Sequence, residues 1–309
     1  MKWIIERILL LFLCFCNVSI YGQQIVDHSF EVKISEPAFE IDMGPVILLD
    51  EAHNNGATLN TAFTPLSKGL LKDGYRIKTL HETIKMEILD SIDILVIIDA
   101  LSAQNVDRWE LPTPSPFDNN EINAIAQWVR KGGSLFLVAD HMPYAGAASK
   151  LAQTFEIEFI NGFAIDTLGW DVTKFKRVDN TLLYHPIVQG RNQSERIDKV
   201  ISYFGQCFTS SSPNMKPILE FQDENVVSYQ PKKAWRFDKH TTLLPAKGYY
   251  QGMAGIFGKG RIVVLGDSGM ISAHLIGKNS KPVGMNAPNA EDNFQFALNI
   301  FHWLSKILD

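Results

Sequence analysis

The sequence predicts an α/β fold: a mostly parallel sheet with helices on both faces, followed by a C-terminal β-hairpin and helix. Three observations carry this reading. Short runs at residues 45–49, 92–98 and 134–139 are apolar at nearly every position. Strands of a parallel sheet are covered on both sides, so they read as unbroken apolar runs rather than alternating ones. Stretches with helical spacing lie between some of these runs, and the intervals are long enough for parallel crossovers.

The first 22 residues read as a secretory signal. Lys2 and Arg7 give a basic start, and residues 8–15 form an apolar core too short to span a bilayer stably. Ser19 and Gly22 supply small residues before Gln23. Phe15 in front of Cys16 does not fit a lipoprotein signal. The chain is therefore expected to be exported, periplasmic or secreted, with no stable membrane span after removal of the signal; a retained anchor is the alternative. Of 309 residues, three are cysteines, and two of them, Cys14 and Cys16, leave with the signal. Cys207 then stands alone, so no internal disulfide is expected and the core must hold the fold. Losing two basic residues and one acidic takes the formal charge of −5 one unit further negative. No basic cluster stands out, which argues against a nucleic-acid partner.

Residues 23–44 mix charged and apolar positions and read as a lead-in or an edge strand. Residues 45–49 are the first strand. Leu59, Phe63, Leu66 and Leu70 then follow the spacing of one helix face, and Gly74 is placed to stop it. Residues 75–80 and 92–98 are the next two strands. The three prolines between residues 99 and 117 mark an excursion loop. Asp118 or Asn119 is positioned to cap a helix, Glu121 suits its first turn, and Gly132-Gly133 ends it. Residues 134–139 are the central strand, followed by a small-residue, helix-like segment. Residues 155–165 read as a strand pair or a bent strand, and 166–198 as irregular. Residues 200–208 read as a strand containing Cys207. Residues 218–221 and 226–229 are short strands, residues 249–265 a hairpin, and the last helix begins near Asn289. His274 falls on a helix-like stretch with a packing or surface role.

Four apolar runs end in carboxylates: Asp50 with Glu51, Asp99, Asp140 and Asp267. Open α/β sheets place their chemistry just past the carboxyl ends of the strands. Two of the four ends add a histidine, His53 and His141, so Asp50, His53, Asp140 and His141 are the candidate catalytic set; His185, in the irregular middle with Glu195-Arg196, either completes the rim as a fifth member or belongs to a local ion pair. Carboxylates beside imidazoles can hold a divalent metal, with His53, Asp140 and His141 as ligands, or perform acid–base chemistry without one. Aspartate is also favoured after strands as a turn former, which is the structural alternative at each position. No Gly-x-Ser-x-Gly elbow is present; Ser268, in Gly266-Asp-Ser-Gly269, only weakly resembles one.

The stretches VILLDEAHNNG, LKDGYRI, ILVIIDAL, GGSLFLVADHMPYAGAASKLAQTF, HPIVQGRNQSERIDKVISYFGQCF, GKGRIVVLGDSG and NFQFALNIFHWL span residues 46–304. Together they resemble the class I glutamine amidotransferase-like superfamily and, within it, the DUF4350-type domains. The resemblance implies one flavodoxin-like domain over residues 45–309 with a site at its carboxyl rim. In amidotransferases of that superfamily a cysteine nucleophile stands at the turn that corresponds here to Asp140-His141. This chain has no cysteine there, so glutaminase activity is not expected. Two readings follow. One is an exported hydrolase-like enzyme with a His/Asp site. The other is a non-catalytic domain that binds a small molecule, sugar or peptide through aromatic loops carrying Trp109, Trp170 and Tyr184.

Overall fold

The computed structural model describes residues 24–168 and 172–309. The expected signal peptide and Trp170 lie outside the described residues. In chain order the strands are β1 (Gln24–Val26), β2 (Val46–Asp50), β3 (Arg76–Leu80), β4 (Ile94–Ile98), β5 (Ser134–Val138), β6 (Ile157–Phe159), β7 (Phe163–Asp166), β8 (Thr173–Lys176) and β9 (Lys199–Ser202). They continue with β10 (Phe208–Ser210), β11 (Met215–Glu220), β12 (Val226–Gln230), β13 (Thr242–Pro245), β14 (Tyr250–Phe257), β15 (Gly260–Leu265), β16 (Ala273–Ile276) and β17 (Lys281–Gly284). The helices are α1 (Thr64–Lys72), α2 (Met86–Leu89), α3 (Asn119–Lys131), α4 (Tyr144–Gln153), α5 (Pro186–Gln189) and α6 (Asn293–Leu304).

The central sheet runs β3-β2-β4-β5-β15-β14-β10-β6, with β11 also on β14. From β3 to β15 every pair is parallel. The remaining pairs are antiparallel. Every residue of β2, β4 and β5 is buried, as the unbroken apolar runs require. The two faces of the sheet make two cores. Ile47, Val96 and Phe136 pack with Leu66 of α1 and Phe301 of α6. Leu48, Leu95 and Leu137 pack with Ile125 of α3 and Leu151 of α4.

Several boundaries differ from the sequence reading, each for a local reason. Helix α1 starts at Thr64, with Pro65 in its first turn. Leu59 lies before it, in a turn where the Thr58 N–H donates to Thr61 Oγ1 at 2.8 Å. Asp118 caps α3 in a reciprocal capping box with Glu121. The strand expected over residues 200–208 stops at Ser202, because Phe204 adopts a positive φ of 66° and the backbone turns at Gly205. A Cβ on Gly205 would meet the Gly266 carbonyl at 2.0 Å. Cys207 is a buried free thiol outside the strands. Residues 155–165 separate into β6 and β7, which belong to different sheets. The irregular segment contains β8 and α5. The C-terminal hairpin is no appendage: β15 is a parallel neighbour of β5. The last helix starts at Asn293 rather than near Asn289. His274, expected on a helix-like stretch, lies on β16, which joins β1 and β17 in a small antiparallel sheet. Among the described residues, no helix is long and apolar enough to cross a membrane.

Candidate functional site

Because β2, β4, β5 and β15 are parallel neighbours, their carboxyl ends bring Asp50, Asp99, Asp140 and Asp267 to one edge of the sheet. Two of these carboxylates, Asp99 and Asp140, belong to one hydrogen-bonded group, and Asp267 follows Gly266 beside it. The Asp140 N–H donates to Asp99 Oδ1 at 2.8 Å. The His141 N–H donates to Asp140 Oδ1 at 2.6 Å. The hydroxyl and the N–H of Ser268 both donate to Asp140 Oδ2, at 2.9 and 3.3 Å. Asp267 accepts from the Tyr203 N–H at 2.6 Å and the Gly269 N–H at 2.7 Å.

Burial, reinforced by the neighbouring charge of Asp140, holds the Asp99 carboxyl well above the usual carboxylate range. The same two causes, in the same order, lift Asp267 to about 7. Asp99 also takes a left-handed backbone conformation, φ 52°, which side-chain-bearing residues seldom adopt. The turn after β4 is thus held in an uncommon shape where it meets the Asp140 backbone.

His141 is oriented by its surroundings. Nδ1 lies 2.7 Å from the Met142 carbonyl. A carbonyl only accepts, so Nδ1 carries the proton, and Nε2 of the neutral ring is the acceptor. The ring stacks on Phe163 with centroids 4.3 Å apart, and the Trp235 ring lies edge-on at 4.9 Å. Trp109, from the excursion loop, is 6.0 Å away.

Asp140, His141 and Ser268 line a cavity of about 720 Å³. Its other walls include Tyr203, Phe204 and Trp235, and Ser272 and His274 beside β16. A cleft of this size, with aromatic walls and a few convergent polar groups, is what a small-molecule site requires.

The other predicted residues lie elsewhere. His53 is buried, with Nδ1 donating to the Asp50 carboxylate at 2.9 Å and Nε2 to Glu121 Oε1 at 3.1 Å. Both ring nitrogens are taken, so neither is left for Asp140 or His141. Burial opposes its charge, but Asp50 and Glu121 outweigh that and raise its pKa. Asp50 and His53 therefore tie β2 to the first turn of α3 and do not enter the cleft. His185 caps α5, its Nδ1 accepting from the Ile187 N–H at 3.2 Å. Its ring lies 5.3 Å from that of Trp303. Burial, then the Arg261 charge, pushes its pKa down to about 4. Arg261 is at the amino end of β15, so His185 sits at the opposite edge of the sheet. The expected His53–Asp140–His141 metal set does not form. Among the described residues, no three or more His, Cys, Asp or Glu side chains are placed to hold a metal ion. Tyr184 is 79% exposed.

Sequence reasoning missed two partners. In the sequence Glu121 reads only as a first-turn residue of α3, and its distance from His53 in the chain gives no signal. Ser268 is legible beside its strand, but its bond to Asp140 depends on β15 lying next to β5.

No protein-family model matches the sequence, and no curated protein matches it. Solved structures with a similar chain path exist. The mmIFT52 N-terminal domain superposes with a TM-score of 0.57 at 14% identity, covering 84% of this chain and 97% of that one. Cytoplasmic protein STM3548 from Salmonella typhimurium gives 0.48 at 14% identity, covering 84% and 98%. A putative ThuA-like protein from Bacteroides uniformis gives 0.47 at 10% identity, covering 89% and 94%. The likeness to the first of these shows a shared α/β fold and nothing of its chemistry.

Proposed function

We propose that this chain is an exported hydrolase-like enzyme on a flavodoxin-like, glutamine amidotransferase-like domain, working in the cleft at Asp140 and His141. The observation that carries the reading is that an oriented imidazole and a hydrogen-bonded carboxylate line one aromatic-walled cavity. His141, with Nε2 as its acceptor nitrogen, takes a proton from the attacking group. Asp140 holds the Ser268 turn against the His141 backbone and sets the shape of the floor. Asp99 and Asp267, favoured in their neutral forms, limit repulsion around Asp140. Export is supported by the basic start and short apolar core of residues 1–22.

The aromatic walls also favour a second reading, a domain that binds a small molecule, sugar or peptide without turning it over. Purified protein assayed against chromogenic esters, amides, phosphates and glycosides separates the two. The hydrolase reading expects turnover of one class that His141→Ala abolishes. Ligand binding in the cleft with no turnover of any class would establish the second reading instead.

A further inference from the structure

The far wall of the cleft holds a pair of residues to which nothing above gives a role. Ser272 Oγ lies 3.0 Å from His274 Nδ1, and both side chains line the cavity. They are two residues apart, on the approach to β16 and in it, so they point the same way from an extended backbone. Ser272 Oγ has one other polar neighbour, the Gly269 carbonyl at 3.2 Å. The hydroxyl has one proton; it reaches the Gly269 carbonyl and, when the ring proton of His274 is on Nε2, the closer acceptor Nδ1. Asn286 Nδ2 donates to the His274 carbonyl at 3.1 Å and to Asp27 Oδ2 at 2.9 Å, which pins the strand that carries the ring. A hydroxyl hydrogen-bonded to an imidazole is the arrangement that activates a serine.

We propose that Ser272 and His274 are a nucleophile–base pair that attacks carboxylic esters entering this cleft. The proposal rests on the hydrolytic reading of the cavity and adds to it a substrate class and a covalent route. Ser272 Oγ bonds to the ester carbonyl carbon as its proton passes to His274 Nδ1. The tetrahedral adduct collapses, the C–O bond to the alcohol breaks, and the leaving alkoxide takes that proton. Water then attacks the acyl-serine as its proton passes to His141 Nε2, and the bond to Ser272 breaks as Oγ takes that proton back and the acid departs. Tyr203, Phe204 and Trp235 offer aromatic surface to the apolar parts of such an ester. Burial lowers the His274 pKa, which keeps the ring in the neutral form a base requires.

A fluorophosphonate tests this directly: the serine oxygen displaces fluoride and remains bonded to phosphorus. Peptide mass spectrometry should place the adduct on Ser272, Ser272→Ala should lose it, and His274→Gln should slow labelling at least tenfold. Ser272→Cys provides a second test. Iodoacetamide should alkylate the new thiol and, in the same sample, spare the buried Cys207, whose pKa is pushed up to about 12; adding His274→Gln should slow alkylation. An adduct on Ser268, or none, overturns the proposal. If turnover that depends on His141 persists without an adduct, only this inference falls. If neither turnover nor adduct is found, the hydrolytic reading falls with it.

Discussion

Ser268 Oγ donates to Asp140 Oδ2 at 2.9 Å, joining residues 128 positions apart in the chain. The bond exists because β15 lies beside β5 in parallel register, Leu265 against Val138. Both strands therefore end at the same height, and the residues beyond them meet.

The first prediction concerns that contact. Ser268→Ala removes the hydroxyl and leaves Asp140 Oδ2 with only the longer bond from the Ser268 N–H. The carboxylate loses part of its orientation but none of its charge. Turnover should fall by roughly tenfold, while stability changes by no more than about 1 kcal/mol, the usual net worth of one hydrogen bond. Steady-state kinetics and urea denaturation of the same preparation check both halves.

Asp99 makes the second. Its folded pKa is raised, so the native state keeps a proton that the unfolded chain releases above about pH 4. Stability is then lost as pH rises from that value through the folded pKa. Asp267 adds a loss of the same sign between roughly pH 4 and its folded value of about 7. Asn at position 99 keeps an acceptor for the Asp140 N–H and cannot ionise. Asp99→Asn should therefore raise the urea midpoint at about pH 8 and leave it nearly unchanged at about pH 3.

His53 has the opposite chemistry, since it is a base with a raised pKa. Its contribution is fully present below the unfolded value of about 6.5 and is lost as pH rises through the higher folded value. His53→Gln leaves the buried Asp50 and Glu121 without their cation, at a cost of about 3–5 kcal/mol near pH 6. Chemical denaturation across pH should show that cost shrinking under alkaline conditions.

Gly205 is the fourth. A Cβ there would lie 2.0 Å from the Gly266 oxygen and 2.5 Å from the Asp267 Cβ, and the first of these is backbone that cannot swing aside. Gly205→Ala should cost about 1–3 kcal/mol or more as an overpacked position. It should also displace Asp267, which a change in the carboxyl signal of that residue by NMR would report.

Much of the sheet could be read from the chain because β2, β4 and β5 are buried on both faces and carry no polar residue in their interiors. The α3 start was equally plain, since Asp118 and Glu121 form a capping box within four residues. What stayed hidden depends on contacts between distant segments. Glu121 reaches His53 only after α3 has packed beside β2. Residues 273–284 show no clean alternation, so the small sheet that carries His274 left no trace. His185 looked like a rim residue because histidine beside an irregular loop carries no sign of which sheet edge the loop covers.

The most direct measurement compares the two edges of the sheet. On whichever substrate the enzyme turns over, kcat/KM is measured for Asp140→Asn, His141→Ala and His185→Gln. The cleft at the carboxyl edge predicts a loss of about tenfold or more for Asp140→Asn, which loosens the Ser268 turn, a loss of about 100-fold or more for His141→Ala, the scale of a lost acid–base group, and a rate within about twofold of wild type for His185→Gln. Near-wild-type rates for both cleft variants, or a collapse in His185→Gln alone, would place the chemistry away from Asp140 and contradict the account.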